Sequence, residues 1–288
     1  MSDLLTIAEL GADGVREMLA LAERTDLGLP LTGKGVALVF QKPSARTRNS
    51  MEMACVQLGA HPVYIQKEEV GLGSRECAED VARTLACYHA IIAARVMEHR
   101  DLVAMAGAVE TPVVNLLSNS DHPLQALADL LTVRQLLGRI EGARIAYVGD
   151  ADNNVARSLA QACALTGASL TLTSPEGYRL AEMPDGVRQV ADPAEAVEGA
   201  RIVYTDVWVS MGQDGESEAR REALQAYRVD EALMAKADDA WFLHCLPARR
   251  GEEVTDGVMD SAKSAVWKQA ENRMHSARGA LAWLAGVR

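Results

Sequence analysis

Several short polar clusters carry side chains able to do chemistry. Ser44, Arg46 and Thr47 crowd into Ser44-Ala45-Arg46-Thr47-Arg48, between a strand-like run and a helix-like one. Unpaired N–H groups and the helix dipole make such a junction an anion site. Two hydroxyls add donors there, and Arg46 adds a charged fork matched to phosphate oxygens. Arg95 closes another apolar run, at the strand end where open α/β sheets place ligands. His122 and Gln125 stand one turn apart where a helical pattern begins, so both point from one face. The imidazole could donate to a carbonyl oxygen that gains charge, and the carboxamide could bind an amide.

Further on, Asp150 with Asn153 and Asn154, the segment 206–213 (DVWVSMGQ) and His244-Cys245-Leu246-Pro247 each follow a strand-like run. Asp206 with Ser210 suits an ammonium group. Arg273 sits in the last helical stretch. Taken singly, each cluster has an ordinary explanation. These are a serine N-cap with solvated arginines, ion pairs at Arg95 or Arg273, a capping histidine, Trp208 packed under its loop, and a small buried thiol at Cys245. Chance, however, would scatter them, whereas the six clusters before Arg273 all fall where strands end or helices begin.

The elements that must position them alternate along the chain. Residues 35–40 (GVALVF) read as a buried strand, and Met51, Ala54, Cys55 and Leu58 then repeat at the spacing of one helix face. Gly59 is placed to cap that helix, and 62–66 reads as the next strand. A helix at 76–88, a strand at 90–96, another helix and a strand at 112–117 follow. A long helix opens at Pro123, a residue suited to a first turn, and runs to Gly138. The second series has strands at 143–148, 169–173, 201–205 and 240–244, with helices at 155–166, near 230–237, and from 268. Strands separated by helices predict an α/β fold of two domains, each a parallel sheet flanked by helices, doubly wound. The expected domains are 1–136 and 137–267, with 268–288 packing back on the first.

Composition excludes other classes. The chain has 288 residues, 49% hydrophobic and 24% charged, too apolar for disorder and long enough for about two domains. No apolar run nears the roughly 18 to 20 residues of a membrane span. The first ten residues carry Asp3 and Glu9 without a basic stretch, which predicts no secretory signal. A net charge of −11 argues against nucleic acid and anionic membranes. Five cysteines without a C-x-x-C pair predict free thiols, a reducing cytoplasm and no zinc site. Neither G-x-x-x-x-G-K-[ST] nor G-x-G-x-x-G occurs, which disfavours nucleoside triphosphates and dinucleotides.

Together, 44–48, 122–129 (HPLQALAD), Gly149-Asp150 with Asn153-Asn154, 206–212, 244–247 and 251–256 (GEEVTD) resemble the carbamoyltransferase family over nearly the whole chain. D-x-W-x-S-M-G and H-C-L-P resemble its ornithine-using branch. The resemblance implies transfer of a carbamoyl group from carbamoyl phosphate to the δ-amine of L-ornithine in arginine metabolism. It implies no metal and no cofactor, and a homotrimer or a multiple of one. Arg95, His122, Asp206 and Cys245 would be catalytic. Carbamoyl phosphate would be held by Ser44, Ala45, Arg46, Thr47, Arg95, His122, Gln125, Cys245, Leu246 and Arg273. Ornithine would be held by Asn154, Asp206, Ser210 and Met211. Two positions depart from the family pattern: Ala45 stands where threonine is usual, and Gly71 replaces a polar residue. The alternatives are transfer to putrescine or an N-acylated ornithine, and a binding module of the same fold without turnover.

Overall fold

The computed structural model describes residues 3–209, 215 and 217–288. Strands β1 (Gly35–Phe40), β2 (His61–Gln66), β3 (His89–Arg95) and β4 (Val113–Leu117) occupy the first half. With them are helices α1 (Gly11–Glu23), α2 (Ala45–Gln57), α3 (Lys67–Val70), α4 (Ala78–Ala86) and α5 (His99–Ala108), and α6 (Pro123–Leu137) follows. The second half holds β5 (Arg144–Val148), β6 (Ser169–Thr173), β7 (Val187–Val190), β8 (Ile202–Thr205) and β9 (Trp241–His244). Its helices are α7 (Asn154–Thr166), α8 (Pro193–Val197), α9 (Ser217–Leu224), α10 (Glu231–Met234), α11 (Asp256–Met259) and α12 (Val266–Leu284). Two compact units result: Met1–Ala128 with Arg273–Arg288, and Asp129–Asn272.

The first unit contains a four-stranded parallel sheet, ordered β2-β1-β3-β4. The chain leaves β1 for β2, then returns past β1 to build β3 and β4, so the winding reverses between β1 and β3. The second unit contains five parallel strands, ordered β7-β6-β5-β8-β9, and reverses between β5 and β8. Ligands of such sheets bind outside the carboxyl ends of the strands at the reversal.

Alternation along the strands builds a core on both faces of the second sheet. Ile145, Tyr147, Leu170, Leu172 and Tyr204 pack with Val155, Leu159 and Cys163 of α7. Their neighbours Ala146, Val148, Val203 and Phe242 pack with Val197, Leu233 and Val258 of α8, α10 and α11. In the first unit, Val39, Ile92 and Ala94 pack with Val81 and Ala82 of α4 and Leu102 and Met105 of α5. The end of α12 lies tight on α1. A Cβ at Gly279 would stand 2.7 Å from both Ala22 N and Met18 O. One residue earlier, Arg278 Nη2 donates to the Ala22 and Arg24 carbonyls at 2.9 and 2.8 Å, closing the carboxyl end of α1.

Several elements differ from expectation. The helix expected at 76–88 is shorter because Cys77 is extended, at φ −76 and ψ 160, and serves as its N-cap. The helix near 230–237 contracts to α10. Strand β7 has the sequence VRQV and no fully buried residue, so it carries no strand-like apolar run. Helix α1, which no polar cluster requires, is an amphipathic addition.

Candidate active site

In the first unit, the reversal brings the ends of β1 and β3 together: Phe40 and Arg95 are partners in register. Ser44 is extended, and its Oγ accepts the Thr47 N–H at 3.4 Å, capping α2. The Ser44 hydroxyl donates to Thr47 Oγ1 at 3.2 Å, and Arg95 Nη1 donates to the same oxygen at 3.4 Å. Arg95 and Thr47 are buried, whereas Arg46 is exposed. Burial, then the facing Arg46 charge, lowers the Arg95 pKa to about 10. At neutral pH the guanidinium stays charged, so two cations and two hydroxyls converge on the amino end of α2. Ala45 contributes its N–H, which has no acceptor inside the helix because it lies in the first turn. Arg48 is diverted: its Nε bonds Glu52 Oε1 at 2.8 Å, and its guanidinium lies 3.9 Å from the Tyr64 ring centroid.

At the end of β4, fully buried Asn115 donates to the Asp121 carbonyl at 3.2 Å, as does the Ser118 N–H at 3.0 Å. This turn delivers His122 to the start of α6, where its carbonyl accepts the Gln125 N–H at 3.0 Å. Arg273 Nη2 lies 3.5 Å from His122 Nε2. A guanidinium can only donate, so Nε2 accepts and Nδ1 carries the proton. Burial, then Arg273 and Arg95, push the imidazole well below 6.5, so it is neutral. A neutral N–H donor flanked by two guanidiniums suits an oxygen that gains negative charge. His122, Gln125 and Arg273 are all buried, and Arg273 is therefore not the surface ion-pair partner its helix spacing allowed.

In the second unit, β8 and β9 pair with Thr205 opposite His244, which sets Asp206 and Cys245 side by side just past the strand ends. Asp206 Oδ1 accepts the Val207 N–H at 2.8 Å and the Cys245 S–H at 3.0 Å. Burial, then the Asp206 carboxylate, push the thiol well above its ordinary range, so it remains an S–H donor. Leu246 follows at φ 61, with a cis bond to Pro247. Asn154 is the first residue of α7, which is capped by Asn153 accepting the Ala156 N–H at 2.8 Å. Ser210 and Met211 lie outside the described residues. Trp208 is buried at 2% exposure.

Asp206, His244 and Cys245 bring one ligand atom each within 4.8 Å of one another. His244, however, has Nδ1 accepting the Leu246 N–H at 2.8 Å and Nε2 facing Glu253 Oε1 at 3.1 Å. A cation there would have to displace one of these bonds. Arg220, which no motif marks, brings its Nη1 to 2.7 Å from Asp150 Oδ2. Burial raises Asp150 to about 6 in spite of that partner. Equally unmarked as a set are the buried Tyr204, Asp129 and Gln269, of which Asp129 accepts from Tyr204 at 3.1 Å and from Gln269 at 2.7 Å.

Residues 2–135 match the family model "aspartate/ornithine carbamoyltransferase, carbamoyl-P binding domain", and residues 141–284 match its Asp/Orn binding domain. The chain is similar to the ornithine carbamoyltransferase of Hyperthermus butylicus, at 46% identity over 97% of this chain and 96% of that protein. Its fold is similar to the solved ornithine carbamoyltransferase of Pyrococcus furiosus, with TM-score 0.93 and 40% identity over 99% of this chain and 97% of that one. A Thermus thermophilus ornithine carbamoyltransferase structure gives TM-score 0.90 and 40% identity, covering 99% of each chain.

Proposed function

The chain belongs to the aspartate/ornithine carbamoyltransferase family, and from that premise we propose that it transfers the carbamoyl group of carbamoyl phosphate to the δ-amine of L-ornithine. The products are L-citrulline and phosphate. The observation that carries the reading is the Cys245 thiol 3.0 Å from the Asp206 carboxylate. Together they present an anion and a neutral S–H to an amine, and would repel an acidic acceptor. Relatives of the same name at 40–47% identity support it.

In this reading residues 1–136 with 268–288 take carbamoyl phosphate, and 137–267 take ornithine. Ser44, Arg46, Thr47, Arg95 and the Ala45 N–H hold the phosphate. Gln125, the Leu246 carbonyl and Arg273 hold the carbamoyl amide. The neutral δ-amine attacks the carbonyl carbon, forming the C–N bond. Thr47, Arg95 and the His122 N–H stabilise the oxyanion of the tetrahedral intermediate. Collapse breaks the C–O bond to phosphate, which leaves with its electron pair while the nitrogen loses its proton. Asn154, Asp206, Ser210 and Met211 bind the α-amino and α-carboxylate groups, and Asp206 and Cys245 orient the δ-amine.

The enzyme is assigned to arginine metabolism in the cytoplasm, as a homotrimer or a multiple of one. It needs no resident cofactor and binds neither nucleic acid nor membrane. Exposed free thiols at Cys77 and Cys87 suit a reducing compartment. The test is citrulline release from carbamoyl phosphate with a panel of acceptors. Ornithine is expected to react, and putrescine and N-acetylornithine to react far more slowly. Faster carbamoylation of either would refute the assignment. Sedimentation should give about three times the 30.9 kDa chain mass or a multiple of that, and a fully active monomer would remove the trimer.

A further inference from the structure

We propose that Glu253, acting through the His244 imidazole, positions the turn formed by Cys245 and Leu246; the inference rests on the carbamoyl-transfer reading above and deepens it. His244 and Glu253 are both 0% exposed. The Leu246 N–H donates to His244 Nδ1 at 2.8 Å, so Nδ1 is the unprotonated nitrogen. Nε2 therefore carries the hydrogen and donates to Glu253 Oε1 at 3.1 Å. The same carboxylate oxygen accepts the Arg249 N–H at 2.5 Å, beyond the other end of the turn. On the strand side, the His244 N–H donates to Gln269 Oε1 at 2.8 Å, and Gln269 is itself held by Asp129 at 2.7 Å.

The turn that carries the thiol and the Leu246 carbonyl is thus tied before and after itself to one buried carboxylate. A carboxylate removed from water is expensive to keep, and an apolar side chain of similar size would fill the space at lower cost. Its two bonds, to the imidazole at the last residue of β9 and to the Arg249 N–H, bracket the turn that follows the strand. Both act on the loop that presents Cys245 and Leu246. This gives the 251–256 segment, whose residues touch no reacting group in the proposed reaction, a part in that reaction. Glu253 and His244 are positioning residues: they would act by keeping the thiol and the carbonyl where the amine and the carbamoyl group meet them. Displacement by about 1 Å is enough to slow such a step by about 100-fold.

The test compares Glu253→Met, which keeps the length and removes the acceptor, with Glu253→Gln, which keeps an acceptor oxygen. Two readouts are taken on the full chain. The first is steady-state citrulline formation. The second, independent of activity, is the rate of Cys245 alkylation by iodoacetamide, read on its own peptide by mass spectrometry. For Glu253→Met, kcat should fall by about 30- to 100-fold with the ornithine KM within about threefold. Its Cys245 should alkylate about tenfold faster or more as the thiol leaves Asp206. Glu253→Gln should stay within about fivefold of wild type on both. A folded Glu253→Met protein with wild-type kcat and alkylation rate overturns the clamp, as does a loss that only follows its folded fraction by circular dichroism. Should Glu253→Met not fold, His244→Asn decides. Its amide oxygen can still accept the Leu246 N–H as in an Asx turn, but the tie to Glu253 is cut. Alkylation about threefold faster or more supports the clamp, and an unchanged rate overturns it. A wild-type chain that makes no citrulline, yet shows faster alkylation in Glu253→Met, would refute the function and keep the clamp.

Discussion

Replacing Arg95 with methionine should make the ligand-free protein more stable while removing its use of carbamoyl phosphate. Arg95 is 8% exposed, and burial together with the Arg46 charge brings its pKa down to about 10. That lies more than two decades below an ordinary guanidinium, so the charged form is disfavoured by roughly 3 kcal/mol. Methionine keeps the apolar stem and forfeits the bond to Thr47 Oγ1 at 3.4 Å, worth about 0.5–1.5 kcal/mol. The difference leaves about 1.5–2.5 kcal/mol in favour of the variant, or roughly 2 to 4 °C in Tm. Phosphate reverses the balance in the wild type. At a concentration of about 100 Kd, an anion that offsets the two cations stabilises the fold by about 2.7 kcal/mol, and the variant should lose most of that gain. Its kcat should fall by about 100- to 1,000-fold with the oxyanion donor gone. Differential scanning fluorimetry with and without inorganic phosphate or carbamoyl phosphate, beside a citrulline assay, reads all three quantities. An Arg95→Met protein that melts below wild type without ligand, and still gains as much from phosphate, would refute the reasoning.

Four further outcomes are expected. Asp206→Asn should raise the ornithine KM by about tenfold or more while leaving that for carbamoyl phosphate near wild type, and unchanged ornithine kinetics would remove Asp206 from the acceptor site. Wild-type activity should rise through the alkaline range as the δ-amine, with pKa about 10.4 when free, loses its proton; Cys245→Ala should lower kcat more than it raises the carbamoyl phosphate KM, and a pH–rate curve superimposable on wild type would exclude the thiol. The His122 pKa is held well below 6.5 in the fold, so below that pH the unfolded chain binds the extra proton first; this contribution is present above pH 6.5 and shrinks as pH falls, and denaturant melts of His122→Gln against wild type at pH 7 and pH 5 should show a smaller acid loss in the variant. Gly279→Ala should destabilise the chain by about 1–3 kcal/mol, because its Cβ would stand 2.7 Å from α1 backbone atoms that cannot turn aside, and an unchanged Tm would mean that the two helices separate freely.

What the amino-acid order determined by itself is what acts within a few residues. The buried run GVALVF makes β1 whatever surrounds it, because a fully apolar strand has one stable environment. Ser44 caps α2 through the Thr47 N–H three residues on, and Pro123 opens α6 because a first helical turn has no use for its missing N–H. The placement of Ser44, His122, Asp206 and Cys245 at strand ends or helix starts was legible for the same reason. Strand β7 was not, since two of its four residues are polar and its ladder is dictated by β6 rather than by its own pattern. Tertiary structure alone decided which groups are charged and which are held. Arg48 lies over the Tyr64 ring of β2, a partner that its own helix does not supply. Asp150 meets Arg220 from 70 residues away, and Asp129 meets Gln269 from 140. The neutral state of His122 depends on Arg95 and Arg273. Desolvation and Coulomb interaction depend on distance in space and on the water excluded between groups, and neither quantity exists until each unit has folded around them.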